Sequence, residues 1–346
     1  MEKNKLNAHY NFLVSFFEKM NILFRDKWCV LHSYESLPNY SSSDVDMALN
    51  SNEIDKLENL ISEIAKKEGW EIYQKLWYDI DKCYYYVLYS RENNIFLAID
   101  FLIDKKGIGK YGFNTEVLTE HCNTYKNLIP IPNNSVSFCY KFVKRIFKQI
   151  SLEKDKNYLI EHFKLANLGQ VEEILKKQFG NEVTKSLLHK FRNNDFDFTD
   201  NEIKELYTKK IKLDNKKNKI KKIISNIYRK FNRVIEPCGL IINIPLMDKK
   251  DLEAFKLRIT EEVDLLFRYV IINKNNSFFL NFKSLSGSTL VISINNKNNK
   301  IKVFDHWLLP KVYTDELIKD FTNEEVISKS FQLILFALKH RNRIKG

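Results

Sequence analysis

The chain has 346 residues, of which 44% are hydrophobic and 29% charged, so it can bury the cores of two or three domains. Nine glycines and six prolines are too few for a disordered or fibrous chain. The net charge of +12 suits a polyanionic partner, such as a nucleotide, nucleic acid, charged polysaccharide or acidic lipid. A composition rich in Lys, Asn and Ile explains the charge equally well.

The cysteines and the first residues bear on the cellular setting. No C-x-x-C pair occurs, which argues against a zinc knuckle or a disulfide framework and favours a reducing compartment. The first 24 residues carry Glu2, Glu18 and Lys19 and lack the apolar core of a secretory signal. No segment has the roughly 20 apolar residues of a membrane span. We therefore expect a cytoplasmic protein, at most peripheral to a membrane.

The first part of the chain is predicted to be α+β. Apolar residues recur at helical spacing in two segments, and alternating or continuous apolar runs indicate strands between and after them. The predicted elements are a helix over 10–24, a strand over 28–31, a polar turn over 38–43, a strand over 44–49, a helix over 52–68 ending at Gly69, and a hairpin of strands 84–89 and 95–103.

A helical middle region is predicted from about residue 136 to residue 209. The next stretch, 209–233, is strongly basic and contains an apolar helical stripe. Such a helix can lie on an acidic membrane surface or bind a partner. The alternative is a solvated linker helix that packs on the next domain. The stripe consists of Ile220, Ile223, Ile224, Ile227, Tyr228 and Phe231.

The last region is predicted to be a small α/β or α+β unit. Its expected elements are a strand over 240–244, a helix over 252–269, a strand over 289–294 that pairs with a strand over 301–304, and a helix over 324–340. The expected domains are therefore residues 1–135, the helical residues 136–208, a basic connecting helix over 209–235, and residues 236–346.

Two aspartates on one predicted strand point to a metal site. Residues two apart on a strand face the same way, so Asp44 and Asp46 present both carboxylates on one face. Neighbouring carboxylates repel each other, and a hard divalent ion such as Mg²⁺ relieves the conflict and carries phosphates. Asp100, late in an otherwise apolar strand, is the third candidate ligand for a two-metal site. A solvated strand end is the alternative for a bare D-x-D.

The order of these elements resembles the nucleotidyltransferase-fold superfamily, which includes polymerase-β-like enzymes. The segment from Val30 to Pro38, followed by Ser43-Asp44-Val45-Asp46, looks most like bacterial members from surface-polysaccharide gene clusters. The resemblance implies a nucleotidyltransferase-like mixed sheet with helices. It also implies a helical middle region, a basic connection and a thymidylate-kinase-like C-terminal domain.

The chain departs from that family at two places. The family usually has Gly-Ser or Gly-Gly where this chain has His32-Ser33, and a histidine there hinders close backbone approach to phosphate. A kinase of the implied type needs G-x-x-x-x-G-K-[ST] after its first strand, whereas residues 245–251 read PLMDKKD. We therefore expect a degenerate C-terminal domain used for packing or partner binding.

Four further residues are candidates for nucleotide binding. Ser33 and Ser43 flank the turn before the D-x-D strand, and a serine hydroxyl can donate a hydrogen bond to phosphate. Lys141 and Lys144 follow on the first middle helix and could reach a triphosphate as point charges. A solvated helix face is the alternative for the lysines. The scattered histidines, His32 among them, are expected to be core or surface residues.

The sequence thus predicts a metal-dependent nucleotidyltransferase. It would transfer a nucleoside monophosphate from ATP or another triphosphate to an unknown hydroxyl or phosphate acceptor, with nucleic acid still open as a partner. Asp44 and Asp46 would bind Mg²⁺. Asp100 would bind a second Mg²⁺ and act as the catalytic carboxylate that assists deprotonation of the acceptor. The rivals are a D-x-D glycosyltransferase and a non-catalytic scaffold.

Overall fold

The computed structural model of the chain describes most of the sequence and divides it into two compact units. The first comprises residues 1–69, 77–85 and 99–226, and the second comprises residues 70–76, 86–98 and 227–346. Helices and mixed sheets make up both, as the sequence predicts at that level. The described residues are 2–41, 43–79, 83–103, 112–213, 223–224, 226–229, 239–245, 247–267, 269–273, 289–295, 300–304, 312–316 and 323–343.

Eight of the described helices lie in the first unit, and each contributes buried residues to it. The helix over residues 134–148 shows how they are delimited: the Asn133 side chain accepts a hydrogen bond from the Val136 amide, and Gln149 ends it in a left-handed conformation. The helices are α1 (Glu2–Leu23), α2 (Ile54–Lys67), α3 (Thr115–Thr119), α4 (Asn134–Lys148), α5 (Lys156–Lys164), α6 (Leu168–Phe179), α7 (Asn181–Arg192) and α8 (Asp200–Leu213).

A five-stranded sheet has the order β1-β2-β5-β4-β3. β1 pairs antiparallel with β2, and β2 pairs parallel with β5. The predicted hairpin partners β4 and β5 are neighbours, whereas the edge strand β3 has no counterpart among the predicted elements. The strands are β1 (Trp28–Val30), β2 (Val45–Leu49), β3 (Glu71–Asp79), β4 (Cys83–Ser90) and β5 (Ile95–Leu102), with a separate two-stranded pair of β6 (Asn123–Tyr125) and β7 (Ile129–Ile131).

The two faces of this sheet pack against different helices of the first unit. On one face Trp28 stacks on Phe17 of α1 with ring centroids 5.6 Å apart, and Phe101 meets Phe16 edge-on at 6.3 Å. On the other face Cys29 and Ala48 join the large aromatic core beneath α4. Alternate residues along β1 and β2 therefore serve two cores, which fixes their register.

The second unit contains another five-stranded sheet, of order β12-β11-β8-β10-β9. Its central strand β8 is parallel to β10 and antiparallel to β11, and β10 is parallel to β9. In the same unit Phe331 packs edge-on against Tyr89 at 6.3 Å, and Lys339 donates to Glu71 at 2.6 Å. The elements are β8 (Leu240–Pro245), α9 (Lys249–Val263), β9 (Tyr269–Asn273), β10 (Thr289–Asn295), β11 (Lys300–Phe304), β12 (Val312–Glu316) and α10 (Asn323–Arg343).

Two of the sequence expectations for this unit are wrong. The helix predicted over 252–269 ends at Val263, and Tyr269 begins a strand. The strand over 300–304 pairs with β8 and β12 instead of with β10. β10 has no free edge for it, because parallel strands flank β10 on both sides.

The start of α9 is capped by a side chain of its own segment. The Asp248 side chain caps α9, and its Oδ1 accepts a hydrogen bond of 2.7 Å from the Asp251 amide. The cap places a carboxylate where the amides of a helix N-terminus would otherwise meet a phosphate.

Candidate functional site

The three predicted metal ligands converge. Asp44 and Asp46 are two residues apart at the start of β2, and Asp46 lies opposite Asp100 in the parallel β2–β5 register. Carboxylate oxygens of all three lie within 4.8 Å of one another, and each side chain is partly buried. Because directly paired residues of neighbouring strands face the same side of a sheet, the register itself assembles the group.

The residues between the aspartates hold them in this orientation. Val45 and Met47 are buried on the opposite face of β2, as are Ile99 and Phe101 on β5. A shift by one residue would turn these apolar side chains to the carboxylate face and the carboxylates into the core, so burial of the apolar face pins the site.

Two basic side chains contact Asp46. His32 Nε2 lies 2.8 Å from Asp46 Oδ2, and Lys144 Nζ, on α4, lies 3.6 Å from the same oxygen. The side chains are only 13–16% exposed. Lys144 Nζ is also 2.7 Å from His32 Nε2. The ring nitrogen accepts from Lys144 when it carries no proton and donates to Asp46 when it does.

These contacts separate the pKa values of the two neighbouring aspartates. Burial and the charge of Asp46 raise the pKa of Asp44 above its ordinary value, and Lys144 and His32 offset the rise only in part. Burial also raises the pKa of Asp46. Here, however, the charges of Lys144 and His32 and the hydrogen bond from His32 outweigh burial and hold the pKa well below its ordinary value.

His32 is a site residue that the sequence interpretation missed. Its Nδ1 lies 3.1 Å from Ser33 Oγ, and its ring stacks over Tyr140 with centroids 6.5 Å apart. Lys144 lies over the same Tyr140 ring at 5.6 Å. Tyr140 and Lys144 are four residues apart on α4 and so share one helix face, a spacing visible in the sequence. Nothing in the sequence pairs that face with His32.

The other predicted nucleotide contacts have different surroundings. Ser33 and Ser43 are exposed, Ser33 has a φ of 57°, and the Ser43 hydroxyl donates to the carbonyl of Asp44 at 3.3 Å. Lys141 forms an ion pair with Asp155 at 3.3 Å and lies 5.5 Å from the centre of the Tyr158 ring. The structure therefore brings Lys144, and not Lys141, into contact with the carboxylate group.

The donor set fits a hard divalent cation. Carboxylate oxygens are the ligands that Mg²⁺ prefers, and it commonly uses one or two of them together with substrate phosphates. Asp44, with its raised pKa, is a carboxylate whose ionised form a cation would stabilise. Asp44, Asp46 and Asp100 supply carboxylate oxygens to a cation, and their partial exposure leaves it open to substrate phosphates.

The chain was compared with family models, curated proteins and solved structures, and its helices were compared with the length of a membrane span. No family model matches the chain, and neither a curated protein nor a solved structure matches it. Within the described part of the chain, no helix combines the length and apolar character needed to cross a membrane.

Proposed function

We propose that this chain is a metal-dependent nucleotidyltransferase that transfers a nucleoside monophosphate from ATP or another nucleoside triphosphate to a hydroxyl or phosphate acceptor. The observation that carries the proposal is the convergence of Asp44, Asp46 and Asp100 within 4.8 Å. The neighbouring Lys144 adds the positive charge that a triphosphate needs.

Each carboxylate has a defined role in this proposal. Asp44 and Asp46 would hold one Mg²⁺ and Asp100 a second. The bound ions would neutralise the triphosphate and lower the pKa of the attacking hydroxyl. Asp100 accepts the proton of the acceptor hydroxyl as its oxygen bonds to the α-phosphorus, and the bond to pyrophosphate breaks. Lys144 meets the phosphate charge, and Ser33 and Ser43 offer hydroxyl donors beside the turn.

The arrangement of elements supports the superfamily as well as the chemistry. The elements follow the order that the resemblance implies: a helix, a short strand, a Ser-rich turn, the D-x-D strand and a parallel neighbour that carries the third aspartate. On the same resemblance we propose a role in surface-polysaccharide biosynthesis. The second unit then acts as a degenerate kinase-like domain, because Pro245 and the Asp248 cap stand where a phosphate loop would be.

The direct test is Mg²⁺-dependent transfer of label from α-labelled ATP to candidate acceptors, in the parent chain and in Asp100→Asn. We expect transfer of label by the parent and loss of at least about a hundredfold in the variant. A matched control is Asp197→Asn, which removes a carboxylate that pairs with Lys156 far along the chain.

Thermal protection separates the rival functions. Protection by a nucleotide sugar, with none by ATP, would replace the proposal with a D-x-D glycosyltransferase. Binding of metal and ATP without transfer to any hydroxyl or phosphate acceptor would favour a non-catalytic scaffold.

A further inference from the structure

Asp46 Oδ2 has two basic neighbours in the site. His32 Nε2 lies 2.8 Å from it and Lys144 Nζ 3.6 Å from it. A divalent ion that takes this oxygen comes close to an ammonium group, and like charges a few ångströms apart in a partly buried setting repel strongly. Entry of a metal alone is therefore opposed by Lys144.

A polyphosphate removes this opposition. Its oxygens offer the Lys144 ammonium a new partner of high negative charge, and a charge-assisted hydrogen bond to phosphate is among the stronger ones. The ammonium sits on a flexible four-carbon stem, so it can move from carboxylate to phosphate while α4 stays in place.

His32 cannot move in the same way. Its side chain is shorter than that of lysine, its ring stacks over Tyr140, and its Nδ1 lies beside the Ser33 hydroxyl. It therefore stays with Asp46 while Lys144 leaves, and the Asp46 carboxylate keeps its orientation during the exchange.

From this asymmetry we propose that Lys144 exchanges Asp46 for the polyphosphate, so that the metal enters the site as a metal–polyphosphate complex and not as the free ion. The inference rests on the proposed function and adds the selection of the metal-loaded form of the substrate. Its consequence is a positive coupling between metal and polyphosphate binding that passes through one side chain.

The test is equilibrium dialysis of the full chain against Mn²⁺, in which the excess of Mn²⁺ on the protein side measures the ion bound to protein. It is done alone, with inorganic tripolyphosphate, and with an ATP analogue whose α,β-bridge is a methylene group. We compare the parent with Lys144→Met, which keeps the length of the side chain and removes its charge. Lys177→Met is the control, because Lys177 pairs with Glu173 on the exposed surface of α6.

We expect opposite changes in the two conditions. Lys144→Met should bind Mn²⁺ alone about tenfold more tightly than the parent. It should bind the Mn²⁺–tripolyphosphate and Mn²⁺–analogue complexes about tenfold more weakly, because the phosphate contact is lost. Lys144→Arg should keep the parent's order of affinities, and Lys177→Met should change neither.

Other outcomes are equally informative. Equal or weaker binding of Mn²⁺ alone by Lys144→Met would overturn the exchange, as would unchanged binding of both complexes. Failure of every protein, parent included, to bind Mn²⁺ with or without the analogue would sink the proposed function itself, and the two failures are thereby distinguished. A circular dichroism spectrum matching the parent shows that a variant has folded.

Discussion

At the scale of single residues, Asp44 and Asp46 share a strand and a face but not an environment. Asp46 has the attraction of Lys144 and His32, which keeps its pKa low. Asp44 is buried beside the Asp46 charge with less compensation, which keeps its pKa high. The fold thus stabilises the ionised form of Asp46 and destabilises the ionised form of Asp44.

Neutralising each aspartate in turn should therefore shift the melting temperature in opposite directions. Without added metal, Asp44→Asn should raise it by about 1–2 °C, because burial of a charge and a repulsion are relieved. Asp46→Asn should lower it by about 2–5 °C, because Lys144 and His32 lose their partner. Differential scanning calorimetry with a chelator at neutral pH measures both. A fall in both variants would contradict the assigned environments.

Asp155 gives a prediction about pH, away from the aspartate group. Burial raises its pKa, but the hydrogen bond from Arg145 and the charge of Lys141 outweigh burial and lower the pKa below its ordinary value of 3.8. A lowered carboxylate pKa contributes stability above the ordinary value, and that stability is lost as the pH falls through the folded-state pKa.

Asp155→Asn should therefore destabilise the protein by about 1 kcal/mol at neutral pH. The difference from the parent should persist down to about pH 3.8 and shrink at lower pH. Urea unfolding at a series of pH values measures it. In Asp197→Asn the lost carboxylate is 71% exposed, and we expect a smaller effect. A difference that grows on acidification would have the wrong sign and would reject the assignment.

At the scale of elements, the basic stretch over 209–233 is described only in part. Lys210 on α8 is buried, and its ammonium donates to the Gln178 side-chain oxygen, so it is not available to a partner. By contrast, Ile223, Ile224 and Ile227 are 50–62% exposed. Ile220 and Phe231, the ends of the predicted stripe, lie outside the described residues. Vesicle binding decides between the membrane-surface interpretation and the linker.

We expect the chain to sediment with acidic phospholipid vesicles. Changing Lys216, Lys217, Lys221 and Lys222 to Gln should abolish most of the binding, since each basic residue near an anionic membrane contributes about 1 kcal/mol. A control with four exposed lysines of α5–α7 changed to Gln should pellet like the parent; these are Lys164, Lys176, Lys177 and Lys185. Equal pelleting of the two quadruple variants, or no pelleting of the parent, would favour the alternative that residues 209–233 form a linker helix.

Local patterns predicted elements well where the apolar period was strong. α2, β2 and β5 begin or end within two residues of their predicted limits, because alternating burial leaves a direct trace in the sequence. β3 was not predicted, since as an edge strand it mixes polar and apolar residues. The partner of β11 was wrong because a short polar connection favours a hairpin locally, and only the occupied edges of β10 exclude it.

The sequence likewise predicts some residues of the candidate site and misses others. Asp44 and Asp46 were predicted from strand alternation and Asp100 from its place late in an apolar strand, and the structure brings the three together. Lys144 was predicted as a charge near phosphate, without its contact to Asp46. His32 was not predicted as a site residue, because its contact with Lys144 depends on how α4 packs over the end of β1. The two residues are 112 positions apart in the sequence. Contacts of that separation leave no periodic signal.

At the scale of the whole molecule, nucleotide binding should be confined to the first unit. Hydrogen exchange with and without Mg²⁺ and a non-transferable ATP analogue should show protection over residues 30–48 and 99–102 and around Lys144. Residues 239–251 should not change, because Pro245 has no amide hydrogen and the Asp248 carboxylate caps α9. Protection confined to 239–251 would move the nucleotide to the second unit.

The β2–β5 pairing also determines where the chain tolerates insertions and deletions. Phe101 packs against Phe16 directly beside Asp100 on the strand, so one residue gained or lost within 95–99 would turn Phe101 outward and Asp100 into the core. Such a change is expected to abolish folding, because burying an unpaired carboxylate costs several kcal/mol. An extra residue in the turn over 91–94 leaves this pairing untouched. Length variation among descendants of this sequence should therefore collect in the turn and be absent from β5.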